Sequence, residues 1–294
     1  MKIDDLRDLI GRHVCDGERT VAPGVRISSV PRVGAPVFSS TGTLFVLMAQ
    51  GTKRMTFGTE VLEYRSGQIL VTSMDLPISG AFTEATPAKP ALGFSLNLRP
   101  ETIAEVLNSP AAAHLPAERS DRAHASSVGE ATEHLIDAVF RMVSLCDRPR
   151  DREALAPLIE RELIWLLLRG PHGAAVRGLG LPDGRQTRIG RAMRHIREHF
   201  VEPLRVSELA TMSRMSESTF YRSFQAATAM SPIQFQKMLR LQDARIRLAA
   251  GETDVTGVAY SVGYESPSQF SREYRREFGV SPSRDGALLR ATTH

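Results

Sequence analysis

Two stretches of this chain set arginines in the same frame. FYRSFQAATAMSP (220–232) and FSREYRREFGVSP (270–282) each begin on Phe, place Arg two residues on and an aromatic two beyond that, and close on Ser-Pro. Residues four apart share one helix face, so the Phe–aromatic pair turns inward and leaves Arg222 and Arg272 on another side. A guanidinium presented in this way is a planar fork of donors that fits guanine O6 and N7, or a phosphate. A salt bridge to a neighbouring helix is the competing use. Residues 185–294 hold 17 Lys/Arg against 11 Asp/Glu, and 16 of the 17 are Arg, while residues 1–184 are slightly acidic. Such an imbalance suits a polyanionic partner.

Catalytic alternatives find little support. No Gly-rich phosphate loop or nucleophile elbow is present. No His falls between His13 and His114, so the His and carboxylate cluster of a metal-dependent barrel has no source in that region. The expectation is a protein that is not an enzyme and takes no metal or cofactor. Cys15 and Cys146 form no CxxC pair and are expected as buried, inert thiols, with electrophile sensing as the alternative.

The elements that would position the arginines follow from caps and turns. In the second copy, 255–261 reads as a helix with Val258 and Ala259 inward. Gly263 supplies a left-handed turn, and Ser266 caps a further helix with Pro267 first in it and Gln269 three after the cap. Ser268, Ser271, Arg272 and Arg275 are left facing away from Phe270 and Tyr274. In the first copy Ser207 is the expected cap of a helix that buries Leu209 and Ala210. Ser216 caps the next, leaving Glu217, Ser218, Tyr221 and Arg222 outward, and Arg214 takes the turn position of Gly263. Each copy is thus a helix-turn-helix whose second helix would enter a major groove of DNA. Ser231-Pro232 starts a connecting helix to about Ala250, stopped by Gly251. Its Phe235, Met238, Leu239, Leu241, Ile246 and Leu248 would pack toward both units. At about 1.5 Å per residue that connector spans about 28 Å, on the scale of one DNA turn of about 34 Å.

On these residues, 188–284 resembles the DNA-binding domain of the AraC/XylS family of bacterial transcription regulators. GYESPSQFSREYRREFGVSP is similar to its signature, and IGRAMRHIREHFVEPLRVSELA to its first helix and entry to the first motif. The resemblance implies DNA contacts by Ser218, Tyr221 and Arg222, and by Pro267, Ser268, Ser271 and Arg272. The chain departs from the family pattern at Arg214 and Ala229, where Gly is usual.

The N-terminal part has a different texture. Residues 1–14 read as an amphipathic helix. From about 21 to 98 short apolar runs (TLFVLMAQ, KRMTF, EVLEY, QILVTS) are cut by Gly51, Gly58 and Gly67, as in successive hairpins. Pro100 opens a helix, and a loose stretch follows to about 126. Helices are then expected over about 128–145 and 152–168, the second capped by Asp151. The Gly- and Pro-rich 171–186 reads as a linker. The fold class is therefore α+β, with domains at 1–170 and 187–294. Residues 44–80 resemble the cupin-like N-terminal barrel of one AraC-family subgroup through QGTKR, EY before a Gly turn, and SMDLPI, and the similarity extends through 160–179. Lys53 and Arg54 are candidates for an anionic ligand, or plain hairpin charges. Met48, Met55, Phe57 and Met74 are candidates for an apolar pocket, or ordinary core.

The family implies a homodimer surface on the helices after the barrel, with Leu163, Trp165 and Leu167 as candidates and packing on the barrel as the competing account. It further implies double-stranded promoter DNA and RNA polymerase as partners, activation as the commoner mode, and a small-molecule effector. A ligand-independent DNA-binding protein, whose barrel only mediates dimerisation, is the alternative. No run of about 18 apolar residues exists, and the opening MKIDDLRDLIGRHV lacks an apolar signal core, so a cytoplasmic protein without membrane contact is expected.

Overall fold

A computed structural model describes residues 2–115, 125–181 and 184–292. Two compact units emerge, residues 1–190 and residues 191–225 with 230–294; residues 226–229 group with the first. The loose stretch expected before Ser126 falls partly on 116–124, outside the described residues.

In the first unit α1 (Ile3–His13) precedes β1 (Gly17–Ala22), β2 (Val25–Val30), β3 (Val37–Ser40), β4 (Leu44–Gln50), β5 (Thr52–Phe57), β6 (Glu60–Arg65), β7 (Gln68–Thr72), β8 (Pro77–Glu84) and β9 (Ala91–Asn97). Then come α2 (Pro100–Leu107), β10 (Ser126–Glu130), α3 (Glu133–Val143), α4 (Arg152–Arg169) and α5 (Gly173–Gly180). The strands form two antiparallel sheets, ordered β1-β2-β9-β4-β7-β10 and β3-β8-β5-β6. Gly51, Gly58 and Gly67 all take positive φ at hairpin turns, as their spacing predicts.

Strand register sorts the larger sheet into two faces, because side chains alternate along a strand. Ile27, Phe94, Leu47 and Ile69 lie in one cross-strand row and join the core with residues of α1, α3 and α4. The alternate row, Ser28, Gly93 and Met48, turns toward the smaller sheet. The antiparallel sandwich with helices on one outer face is the expected α+β, barrel-like architecture.

Three local expectations need correction. Val128 lies in β10, paired with Leu70, so the helix expected from 128 begins only at Glu133. The stretch 171–186 is not an extended linker over its whole length: 173–180 is helical, with Val176 fully buried. Its glycines serve close packing, since a Cβ on Gly180 would lie 2.6 Å from Ile103 Cγ2 and one on Gly173 2.2 Å from the Leu168 carbonyl oxygen. Asp151 does precede α4, but its side chain makes no cap bond.

α6 (Arg185–Glu198) carries the chain from the first unit into the second. There follow α7 (Val206–Met212), α8 (Glu217–Thr228), α9 (Pro232–Ala249), α10 (Val255–Ser261), α11 (Pro267–Phe278) and α12 (Pro282–Thr292). The connector α9 begins on Ser231, which forms a reciprocal capping box with Gln234, and spans about 27 Å. Phe235 near its start meets Phe224 of α8 edge to face, with ring centroids 5.6 Å apart. Leu241, Ala244 and Leu248 further along join Val258, Ala259, Phe270 and Tyr274. Each end of the connector therefore belongs to a different core. Ile246, expected to pack, is instead 66% exposed.

Candidate nucleic-acid interface

The two helix pairs are built on one turn. In the first, the amides of Ser213, Arg214 and Met215 donate to the carbonyls of Leu209, Thr211 and Ala210, each at 3.0 Å. In the second, Val262, Gly263 and Tyr264 donate to Val258, Tyr260 and Ala259 at 3.1, 3.0 and 3.0 Å. Arg214 has φ 52° where Gly263 has 89°, and Ala229 has φ 55° where Gly279 has 77°. These two are the non-glycine residues of positive φ among the described residues, and they stand at the two positions where glycine was expected. The backbone geometry is preserved against the side chain's preference.

Beyond each turn a serine starts the second helix. Ser266 Oγ accepts from the Gln269 amide at 3.3 Å, and Ser216 Oγ from the Thr219 amide at 3.4 Å. The expected cap at Ser207 is not one, because α7 begins at Val206 after Arg205. Phe220, Phe224, Phe270 and Tyr274 are all fully buried. That orients the remaining faces: Glu217, Ser218, Tyr221 and Arg222 are exposed on α8, and Ser268, Arg272 and Arg275 on α11. Pro267 and Ser271 are half-buried.

The arginines divide by what they hold. Arg245 is paired to buried Asp285, which also accepts from Tyr274 Oη, both at 2.8 Å, and Arg247 binds Asp243 at 2.6 Å. Lys237, the one lysine of the basic half, reaches Glu273 at 2.6 Å. Arg222, Arg272 and Arg275 have no ion pair among the described residues; Arg222 has one weak 3.4 Å contact to the Ser218 carbonyl. Among the described residues, then, Arg222 and Arg272 show no salt bridge to a neighbouring helix.

Arg240 was not singled out by sequence reasoning, yet it ties the unit together. From α9 its Nε donates to the Phe200 carbonyl at 2.6 Å and Nη1 to Gly263 at 2.6 Å. Nη2 donates to Val201 and Glu202 at 3.0 and 3.1 Å. One side chain thus joins the segment that leads into the first helix pair to the turn of the second. Burial draws its pKa down from the usual arginine value, with Tyr264, Glu273 and Glu265 opposing. Gln236, one turn earlier, donates to Phe200 and Glu202 as well. Carbonyls as targets leave no mark in a sequence, so only the placement of a polar pair inside an apolar stripe could have flagged them.

Two family models match the chain, the AraC-type transcriptional regulator N-terminus over residues 21–175 and a helix-turn-helix domain over 209–285. The chain belongs to the AraC-type transcriptional regulators. Among curated relatives, the HTH-type transcriptional activator RhaS of Escherichia fergusonii is 26% identical over 153 residues, 51% of this chain and 54% of that protein. RhaS of Enterobacter sp. strain 638 is 27% identical over 170 residues, 57% of this chain and 59% of that protein. The chain spans little more than half the length of these relatives. Apo ToxT from Vibrio cholerae superimposes with a TM-score of 0.53 at 10% identity, over 90% of this chain and 97% of that one, which shows a shared fold.

Within this AraC-type chain the N-terminal candidates are scattered. Met48, Met55, Phe57 and Met74 are buried, and Lys53 is half-buried on the same strand face as Met55 and Phe57. Arg54 points to the opposite face and pairs with Glu63 at 2.8 Å, so it does not share a site with Lys53. Leu163 and Leu167, expected on a dimer surface, are fully buried in the unit's own core, and Trp165 packs partly buried against it. The competing account, packing on the barrel, describes them. Cys15 is exposed rather than buried, Cys146 is half-buried, and burial pushes the Cys146 thiol up, away from reactivity. No helix among the described residues is long and apolar enough to cross a membrane.

Proposed function

We propose that this regulator binds promoter DNA sequence-specifically through α8 and α11, with Tyr221 and Arg222 reading base edges and Arg272 and Arg275 contributing charge. The observation that carries the reading is the exposure of Arg222, Arg272 and Arg275 on two second helices that are otherwise anchored by buried aromatics. Unpaired guanidinium groups on a solvent face cost little to keep and gain a great deal over a phosphate row. Ser218 and Ser268 sit near the helix starts, where backbone amides favour phosphate oxygens.

Activation, rather than repression, is favoured by the activator role printed for the RhaS relatives. RNA polymerase and a second copy of the chain are the expected partners in the cytoplasm, and the sandwich of residues 1–170 is the expected effector domain. Genome-wide mapping of bound sites followed by titration of one such operator tests the reading. Arg222→Ala should lose about 1–3 kcal/mol on the operator and less on random DNA. An equal loss on both would make Arg222 a phosphate contact, and no site preference at all would sink the proposal.

A further inference from the structure

A glutamine three residues after a helix cap commonly reaches back to it. Gln234 does so in α9: its Oε1 accepts from the Ser231 amide at 2.8 Å, while Ser231 Oγ accepts from the Gln234 amide at 3.2 Å. Gln269 stands at the same place after Ser266, whose Oγ accepts from its amide at 3.3 Å, but its side chain turns the other way. Nε2 donates forward to Glu273 Oε1 at 3.1 Å, and Gln269 Oε1 has no partner among the described residues. Gln269 is exposed on α11, one residue from Ser268 and three from Arg272. Its amide is therefore held on the face proposed for DNA rather than withdrawn into the helix start.

Glu273 is a fixed point. Its Oε1 also accepts from Lys237 Nζ of α9 at 2.6 Å, and its Oε2 accepts from Tyr264 Oη at 2.8 Å. Its side chain is 12% exposed and Tyr264 is buried, so solvent does little to loosen the arrangement. A carboxylate paired in this way accepts and cannot donate, so the Gln269 amide must turn nitrogen to it and not oxygen. That choice sets the outward edge. One hydrogen of the nitrogen goes to Glu273, which leaves Oε1 and the second N–H side by side, an acceptor beside a donor. Adenine offers the complement in the major groove, its N6 donor and N7 acceptor. Guanine offers two acceptors, N7 and O6, and would set O6 against Oε1. In α8 the matching positions are Thr219 and buried Ser223, so the first helix pair lacks this device.

We infer that Gln269 reads an adenine of the operator, and that Glu273, fastened by Lys237 and Tyr264, is the positioning residue that disfavours guanine there. This deepens the regulator reading by naming a base, and it rests on that reading for α11 lying in a major groove.

The test is selection by the full chain from duplexes randomised over two helical turns, about 20 base pairs, scored position by position, with Tm measured on each variant. In the parent one position should favour adenine over guanine by about 5- to 150-fold, the worth of one bidentate contact. Gln269→Ala, a change of an exposed side chain, should level the bases at that position and leave the others as they are. Glu273→Ala should lower the adenine-over-guanine ratio there by about tenfold, because the freed amide can turn both hydrogens toward guanine. Should Glu273→Ala not fold, Lys237→Met combined with Glu273→Met leaves no unpaired charge behind and reads the same change. A glutamine and glutamate that only tie one turn of α11 together would shift Tm and the affinity for every sequence alike. That result overturns the inference, as does a parent profile kept in Gln269→Ala or an adenine preference untouched by loss of Glu273. Failure of the parent to enrich any sequence strikes the regulator reading, and this inference falls with it. An enriched sequence indifferent to Gln269 strikes this inference alone.

Discussion

Replacing Gly263 and Gly279 separately by alanine asks how far the second helix pair depends on Arg240. Both glycines have left-handed φ, 89° and 77°. An L-residue there costs about 1–2 kcal/mol, offset by about 0.5–1 kcal/mol because alanine has less unfolded-state freedom to lose. For Gly279 nothing lies within 4 Å of the added Cβ, so the net loss is about 1 kcal/mol. For Gly263 the Cβ would lie 2.3 Å from the Val201 carbonyl oxygen and 2.9 Å from Arg240 Cζ. Relief requires the loop or the guanidinium to move, which breaks bonds of 2.6 Å to Gly263 and 3.0 Å to Val201. Overpacking and a lost charged hydrogen bond together bring the cost to about 3–5 kcal/mol. In a unit of this size about 1 kcal/mol moves Tm by about 4–8 °C, so Gly279→Ala should melt several degrees lower and Gly263→Ala well over ten. Thermal melts of the full chain, followed by tyrosine-sensitive near-UV dichroism, report the difference. Operator affinity should fall more for Gly263→Ala, since the anchor joining the two helix pairs is disturbed. Equal melting losses for the two variants would refute the role given to Arg240.

Further expectations follow from the same geometry. Ala229→Gly, which relaxes a residue held at φ 55°, should stabilise the chain by about 0.5–1 kcal/mol, read as a higher urea midpoint. Arg275→Ala should lower operator and random-DNA affinity alike and reduce the slope of log affinity against log salt by about 1, as one phosphate contact does. Glu273 gives a pH dependence. Burial pushes its carboxyl up, but hydrogen bonds from Lys237, Gln269 and Tyr264 outweigh that and hold it below the ordinary 4.5. The folded form thus favours the ionised group, so its stabilisation is complete above about pH 4.5 and is lost as pH falls through the lower folded value. Urea midpoints measured from pH 6 to 3 should fall less steeply in Glu273→Gln than in the parent.

Most features that rest on neighbours in sequence were legible, the caps expected at Ser207 and Asp151 excepted, and those that rest on distant partners were not. Ser266, Pro267, Gly263 and the Phe270–Tyr274 spacing act within one or two turns, and each sits where its local chemistry puts it. The hairpin glycines act over four residues and are likewise in place. β10 escaped notice because Val128 owes its strand conformation to Leu70, almost sixty residues earlier. Gly173, Gly178 and Gly180 resembled a flexible linker in composition, whereas each leaves no room for a Cβ against its neighbours, Leu168, Gln186 and Ile103, which composition does not distinguish. Leu163 and Leu167 belong to an apolar stripe, and periodicity cannot say whether such a stripe meets its own core or a second chain. Of the interface residues, the exposed set on α8 was fully readable. Pro267 and Ser271 are more enclosed than helical spacing alone suggests.

The doubling of the motif is uneven in its supports, and that bears on how the unit works. α11 is fastened by polar bonds on two sides, through Glu273 to Lys237 of α9 and through Tyr274 to Asp285 of α12. α8 packs through the Phe220, Phe224 and Phe235 cluster, with ring centroids 5.6 Å apart. Directional bonds fix rotation about a helix axis, whereas apolar contacts mainly fix depth of burial. The same asymmetry shows in the turns: where Gly263 is gripped by Arg240, the equivalent Arg214 keeps an exposed side chain on a strained backbone.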